Sequence, residues 1–213
     1  MSSSEIQKMV SQQSGRTSCP TCGLTYQCIC AHAPQIQSDI QIALLTHPKE
    51  LDRPTNTGKL LLQTLPNCQL HVWDRVNPPA ELLDQISQQP TYLLFPSDDA
   101  LPIQTTINQN ETALFIVLDG TWQEAKKMLN KSPWLKTLPK VMLAEQNASN
   151  YSLRRNQESG NLCTCEVGIE LLQQLDNQTD IKPLQSYFEL FLEVFEDDRN
   201  HRVHPQAVKC LKD

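Results

Sequence analysis

No stretch of this 213-residue chain approaches the roughly 20 consecutive apolar residues that a membrane helix requires. The longest apolar runs are strand-sized, which excludes a helical membrane span as the organising feature. The first eighteen residues are rich in Ser and Gln and lack the apolar core of a secretory signal. Residues 1–17 are therefore expected to be a disordered tail. Internal repeats and long low-complexity tracts are missing as well. Positive charge is in short supply, with 18 Lys and Arg against 24 Asp and Glu and a formal net charge of -6. That balance argues against a surface that embraces nucleic acid everywhere, because cation–phosphate contacts dominate such affinity. Eight cysteines without an export signal suit thiols in a reducing compartment better than a disulfide framework. The expected location is the cytoplasm.

What is present points to one main domain with a small appendage, for which an apolar content of 39 % is ordinary. Asp39 to Thr46 reads as a buried strand, and His47 to Gly58 as a long polar loop containing proline. A helix follows from near Thr57. Gln69 to Trp73 is strand-like, and Pro78 to Gln88 is a helix opened by proline with Leu82, Leu83 and Ile86 on its apolar side. Thr91 to Phe95, Ala113 to Leu118 and Lys140 to Ala144 are further strands, with a helix from Thr121 to about Asn130 between the last two. Two helices close the chain, near Asn161 to Leu175 and from about Pro183 to Glu196, the second with Leu184, Tyr187, Phe188, Phe191, Leu192 and Phe195 at helical spacing. Strand–helix alternation of this kind predicts the α/β class with a mostly parallel sheet.

Two local features carry chemistry. Cys19, Cys22, Cys28 and Cys30 place four soft ligands within a dozen positions. That count suits a closed tetrahedral zinc site with a structural role, since catalytic zinc keeps a position open. Residues 18–35 are thus expected to be a zinc knuckle, too small to bury a core without metal. Cys163 and Cys165 resemble a second half-site, but no matching pair lies nearby in sequence, and they read as packing residues. The other feature is the run from Ala113 to Leu118, which delivers Asp119, Gly120, Thr121 and Trp122 into a strand-to-helix turn. Ligands of open α/β sheets collect where strands end and helices begin. The same residues also suit an ordinary helix cap with Trp122 in the core.

Charge is unevenly spread around that turn. Between Gly120 and Arg155 stand seven cations, Lys126, Lys127, Lys131, Lys136, Lys140, Arg154 and Arg155, against Glu124 and Glu145. A basic strip beside a candidate site fits an RNA backbone, with Lys126, Lys127, Arg154 and Arg155 the expected contacts. Considered alone, the strip is equally a solvated mixed-charge surface.

Six motifs in order then resemble one family. They are Cys19-Pro20-Thr21-Cys22 with Cys28-Ile29-Cys30, His47-Pro48-Lys49-Glu50 leading to Arg53-Pro54-Thr55-Asn56-Thr57-Gly58, Leu94-Phe95-Pro96-Ser97, Asp119-Gly120-Thr121-Trp122, Tyr151-Ser152-Leu153-Arg154-Arg155, and Leu162-Cys163-Thr164-Cys165-Glu166. The chain resembles the DTW-domain family, and most nearly its bacterial members acting on the variable-loop uridine of tRNA. The likeness runs from Cys19 to the C-terminal helix, so residues 36–213 would form the DTW domain. Val167 departs from the pattern, standing where many members have a small Ala.

The resemblance implies a tRNA-uridine aminocarboxypropyltransferase using S-adenosylmethionine, with tRNA as partner and structural zinc at the cysteines. It also implies a SPOUT-like fold whose C-terminal half is knotted as a trefoil. Asp119 would be the general base or the acceptor that orients the uracil imide. Trp122 would stack on an extruded base or pack under the donor, and Thr121 would cap or contact it. Arg53, Thr55, Asn56, Thr57 and Gly58 would hold the carboxylate of the donor or an RNA phosphate. Phe95, Pro96 and Ser97 would receive its adenosine, and Leu118, Thr164 and Glu166 would contact the donor as well, the last two as the matched polar positions. Two other readings use the same residues: a SPOUT-like RNA methyltransferase aiming a different carbon of the donor, and a zinc-containing RNA-binding protein that needs no Asp119. These patterns do not decide between monomer and homodimer.

Overall fold

The computed structural model describes residues 18–107, 112–144 and 162–209. Six strands make one sheet: β2 (Gln41–Thr46), β3 (Cys68–Val72), β4 (Thr91–Leu94), β5 (Leu101–Pro102), β6 (Leu114–Asp119) and β7 (Lys140–Met142). Their spatial order is β3-β2-β6-β4-β7-β5, and every neighbouring pair is parallel. The α/β class read from the sequence is the class observed. A separate two-stranded antiparallel pair joins β1 (Gln27–Cys28) to β8 (Val208–Lys209).

The helices are α1 (Gly58–Thr64), α2 (Ala80–Gln88), α3 (Ile103–Thr106), α4 (Trp122–Lys131), α5 (Pro133–Lys136), α6 (Thr164–Leu175) and α7 (Lys182–Arg199). They cover both faces of the sheet. Parallel strands buried on both sides read as continuous apolar runs, and alternate side chains along them go to opposite cores. Ile42, Leu44, Phe115 and Val117 join one core with α1, α6, α7 and the cysteine segment. Ala43, Leu45, Leu114, Ile116 and Leu118 join the other with α2, α4 and α5. The apolar stripe of α7 lies in the first core, with Leu184, Phe191 and Val194 fully buried.

The topology puts a switch point between two neighbouring strands. The crossover from β2 through α1 leads outward to β3, whereas that from β6 through α4 and α5 leads the other way to β7. Since β2 and β6 are neighbours, diverging crossovers open a crevice at their carboxyl ends. Thr46 and Asp119 are the paired last residues of these strands.

Some elements were not anticipated. The strand Leu101–Pro102 and the short helices Ile103–Thr106 and Pro133–Lys136 have too few residues to show a period. The trefoil knot depends on the path of residues 145–161, which lie outside the described residues, as do residues 1–17.

One close contact sets the approach of α1 to α6. A Cβ built on Gly168 would lie 2.6 Å from both terminal carbons of Leu61, itself fully buried. Leu61 is packed in the core and must shift to admit the Cβ, so Gly168→Ala is expected to cost roughly 1–3 kcal/mol by overpacking. Set against the gain of up to about 1 kcal/mol from replacing a helical glycine, the net effect is expected to be a loss of up to about 2 kcal/mol. Denaturant unfolding should show a lower midpoint; an unchanged or higher midpoint would contradict this packing account.

Candidate active site

Asp119 ends β6 as a buried carboxylate, 3 % exposed, clamped by three side chains. Its Oδ2 accepts from Asn56 Nδ2 at 2.8 Å and from Thr46 Oγ1 at 3.0 Å, and its Oδ1 accepts from Thr164 Oγ1 at 2.7 Å. Its carbonyl receives the His47 N–H at 2.9 Å. The starts of three helices, α1 at Gly58, α4 at Trp122 and α6 at Thr164, meet around this group. Helix N-termini carry positive partial charge, which makes a buried carboxylate tolerable there. Gly58 permits the convergence, since a Cβ on it would lie 3.1 Å from Asp119 Oδ2 and 3.2 Å from Asn56 Oδ1.

A carboxylate offers about four acceptor positions, and three of these are filled by the clamp. The remaining position lies on Oδ1. The arrangement can therefore fix the carboxylate plane and still accept one further N–H or O–H.

Beside this hub runs a second charged array. Arg53 forks onto Glu124, with Nη1 to Oε2 at 2.8 Å and Nη2 to Oε1 at 2.9 Å, and its Nη1 also pairs with the fully buried Glu50. Expected as a cation for a ligand's carboxylate, Arg53 is already paired with two carboxylates. Thr121 caps α4 reciprocally: Glu124 Oε2 accepts from Thr121 N at 2.9 Å, and Thr121 Oγ1 accepts from Glu124 N at 3.3 Å. Burial opposes charge on Glu124, but hydrogen bonds from Arg53 and Thr121 outweigh it and hold the carboxyl at about 2. A depressed carboxyl stabilises the fold above its unfolded value near 4.5, and that stabilisation is lost as pH falls toward 2. Glu124→Gln should thus lose roughly 1–3 kcal/mol at neutral pH, between the values for exposed and buried pairs. The deficit should shrink from pH 4.5 toward 2 in urea titrations at each pH, and a deficit independent of pH would contradict the assignment.

His47 lies between the two arrays. Its Nδ1 accepts from Lys49 N at 3.2 Å, so the proton of the neutral ring resides on Nε2. Burial pushes its pKa down, and the 3.8 Å approach of Nδ1 to Glu124 is accordingly not an ion pair. The ring stacks on Trp73 at 5.5 Å between centroids.

The remaining expected site residues fall at the same sheet edge or behind it. Thr57 is buried, its Oγ1 accepting from Cys165 N at 3.2 Å, and Thr55 is half-buried. Phe95 follows β4 and meets the half-exposed Trp122 at 5.8 Å between ring centroids. Pro96 is exposed, and Ser97 Oγ donates to Asp99 at 2.7 Å. Leu118 points into the second core, away from Phe115 and Val117. Glu166 closes the capping box of α6 by accepting from Cys163 N at 2.8 Å. Lys126 and Lys127 are exposed on α4; Arg154 and Arg155 lie outside the described residues.

Three participants were not singled out as site residues from the sequence: Thr46, Glu50 and Glu124. Glu124 had a legible signal, the Thr-x-x-Glu spacing of a capping box. Thr46 was legible only as a strand residue, because its bond to Asp119 depends on the pairing of β2 with β6.

The cysteines form a distinct centre. All four Sγ atoms lie within 4.8 Å of one another, and Cys19 Sγ is 3.8 Å from Cys28 Sγ and 3.7 Å from Cys30 Sγ. A tetrahedron with metal–sulfur bonds of about 2.3 Å has edges of about 3.8 Å. The donor set therefore fits a closed metal site. Hydrogen bonding from Cys30 pushes Cys22 down to about 5, while burial lifts Cys28 to about 11. Without a metal Cys28 is pushed up by burial and Cys30 by its hydrogen bond with Cys22, so all four sulfurs would be ionised only with a cation bound between them. Gly23, at φ +80°, makes the tight turn after Cys22, a conformation that favours glycine. Asp198 of α7 ties the segment down by accepting from the N–H groups of Thr25, Tyr26 and Gln27 at 2.8, 2.8 and 2.9 Å.

A doubly wound parallel sheet with a clamped carboxylate at its crevice and a four-cysteine knuckle packed alongside defines the class of protein. Residues 16–196 match the DTW domain model, and the chain belongs to the DTW domain family. It is similar to proteins named tRNA-uridine aminocarboxypropyltransferase 2. The Drosophila melanogaster protein is 30 % identical over 165 residues, covering 73 % of this chain and 65 % of that protein. The Mus musculus protein is 25 % identical over 185 residues, covering 80 % of this chain and 62 % of that protein. The matches thus span less than two thirds of the length of these relatives. No solved structure matches the chain, and no helix among the described residues is long and apolar enough to cross a membrane.

Proposed function

We propose that the chain is a tRNA-uridine aminocarboxypropyltransferase that moves the 3-amino-3-carboxypropyl group of S-adenosylmethionine to N3 of a tRNA uridine, in the variable loop. Family membership and the names of the relatives support the reaction class. The single observation that carries the site is Asp119, a carboxylate locked by Thr46, Asn56 and Thr164 at the crevice with one acceptor position left on Oδ1.

The chemistry follows from that geometry. Uridine N3 bears a proton at neutral pH and is a poor nucleophile until it is removed or shared. Oδ1 accepts the N3–H and takes the proton as N3 attacks the γ-carbon of the donor's methionine portion. The carbon–sulfur bond breaks, the sulfonium becomes a neutral thioether, and 5'-methylthioadenosine leaves. Which of three electrophilic carbons reacts is decided by which one is held in line with N3. Trp122, half-exposed at the start of α4 and packed on the buried Phe95, offers aromatic surface for adenine or for the unstacked uracil. Lys126 and Lys127 lie on the helix that starts at the site and would meet the tRNA backbone. Zinc is the metal that suits Cys19, Cys22, Cys28 and Cys30, and with four thiolates filling its shell it holds structure.

The test is incubation with unmodified tRNA and S-adenosylmethionine labelled separately in its methyl and aminocarboxypropyl carbons, followed by nucleoside mass spectrometry. Aminocarboxypropyl label on uridine is the expected result. Methyl label would replace the reading with an RNA methyltransferase, and absence of label across a full tRNA pool would overturn it in favour of a binding protein.

A further inference from the structure

Helix α1 touches both centres. Its first residue, Gly58, abuts Asp119, and its side chains at positions 59 and 63, one turn apart, face the cysteine knuckle. Gln63 Nε2 donates to Thr21 O at 3.2 Å, between the first two cysteines, and its Oε1 accepts from Tyr187 of α7 at 2.9 Å. Lys59 Nζ donates to Arg53 O at 3.4 Å and lies 3.2 Å from the position a Cβ on Gly23 would take. The carbonyl of Pro54 lies 3.7 Å from the same position. The Gly23 turn is therefore packed directly against the start of the loop that carries Asn56 to Asp119. Lys59 makes no ion pair among the described residues, and it sits beside a cluster that holds a net charge of about -2 when four thiolates bind a divalent ion.

We propose that the metal knuckle is a positioning device for the Asp119 site: metal binding fixes the Gly23 turn, and through Lys59 and Gln63 that turn fixes loop 53–57 and the first turn of α1. Lys59 and Gln63 are positioning residues. They contact the knuckle and the loop backbone, and their effect on Asp119 passes through Asn56 and Gly58. The consequence is a site whose order depends on metal occupancy at a centre that takes no part in the reaction.

Hydrogen exchange on the full-length chain tests this without any assumption about the reaction. The amides of Asn56, Lys59 and Leu60 bond to Arg53 O, Asn56 Oδ1 and Thr57 O, so they report on this segment. Metal removal alone can loosen the entire chain, so the decisive arm is the double variant Lys59→Met with Gln63→Leu, with metal measured on the same sample. The expected result is one metal per chain, exchange at these three amides about tenfold faster, and no change at Leu44 or Val117 in the central strands. Lys59→Arg with Gln63 intact should restore slow exchange. Retained metal with unchanged exchange would overturn the proposal. So would loss of metal from the double variant, which would confine both residues to the folding of the knuckle. If the transferase reading holds, the double variant should raise KM for S-adenosylmethionine more than it lowers kcat. A wild-type chain that transfers nothing would remove that reading and leave the exchange result standing.

Discussion

Asp119→Asn is expected to reduce transfer to tRNA by about 10²–10⁴-fold, the range for a positioned acid or base, while the chain stays folded. The amide can turn its oxygen toward Asn56 and Thr46, which both donate to Oδ2 in the wild type. Its NH2 then faces Thr164, whose hydroxyl rotates to accept. The clamp survives and the negative charge is gone, so on the proposed reading no carboxylate oxygen is left to receive the N3 proton. Asp119→Ala is the harsher change, because it leaves the buried donors of Thr46 and Asn56 with only long contacts, to Leu44 O at 3.5 Å and Glu50 Oε2 at 3.4 Å, and removes the acceptor of Thr164. At about 1–3 kcal/mol for each stranded buried donor, a loss of several kcal/mol should accompany the loss of transfer. Thermal unfolding measured beside single-turnover transfer separates the two variants. Transfer by Asp119→Asn at the wild-type rate would remove Asp119 from the chemistry and leave it as a strut.

The second large effect is expected at the cysteines. Cys22→Ser removes one thiolate from a four-sulfur set and should release the metal, lowering stability by several kcal/mol, since metal binding to such a segment contributes directly to folding. The effect should exceed local fraying because the segment is embedded: Cys19, Cys22, Leu24 and Ile29 are buried in the same core as Phe191 of α7. The three backbone donors that Asp198 satisfies would lose their alignment as the turn relaxes. Metal analysis and melting with and without a chelator measure this. A Cys22→Ser chain that melts as the wild type does, with no chelator effect on either, would show that the four sulfurs gather without a metal role.

Much of this was legible in the chain because local signals were strong. Ile42 to Leu45 and Leu114 to Leu118 are near-continuous apolar runs, the mark of parallel strands covered on both faces, and both form central strands. The four cysteines and the turn after Leu118 were visible as clusters of reactive types at short spacing. What stayed hidden depends on long-range pairing. The junction of Thr46 with Asp119 is set by strand order, which periodicity does not encode. The pairing of Arg53 with Glu124 is similar: a guanidinium in a polar loop looks like a ligand-binding cation until the helix after β6 brings Glu124 beside it. Lys59 had no signal, because its place against Gly23 arises only when the knuckle packs on α1. The β1–β8 pair escaped for the same reason, as two residues on each side carry no pattern.

The central claim is that donor and uridine meet at the crevice between β2 and β6. Photocrosslinking of labelled S-adenosylmethionine to the full-length chain, followed by peptide mapping, tests it most directly. The account predicts label on peptides spanning Arg53 to Lys59, Phe95 to Ser97, Asp119 to Glu124 or Cys163 to Glu166, and competition by 5'-methylthioadenosine. Competed label confined to the opposite end of the sheet or to the outer edge of β3 would contradict it.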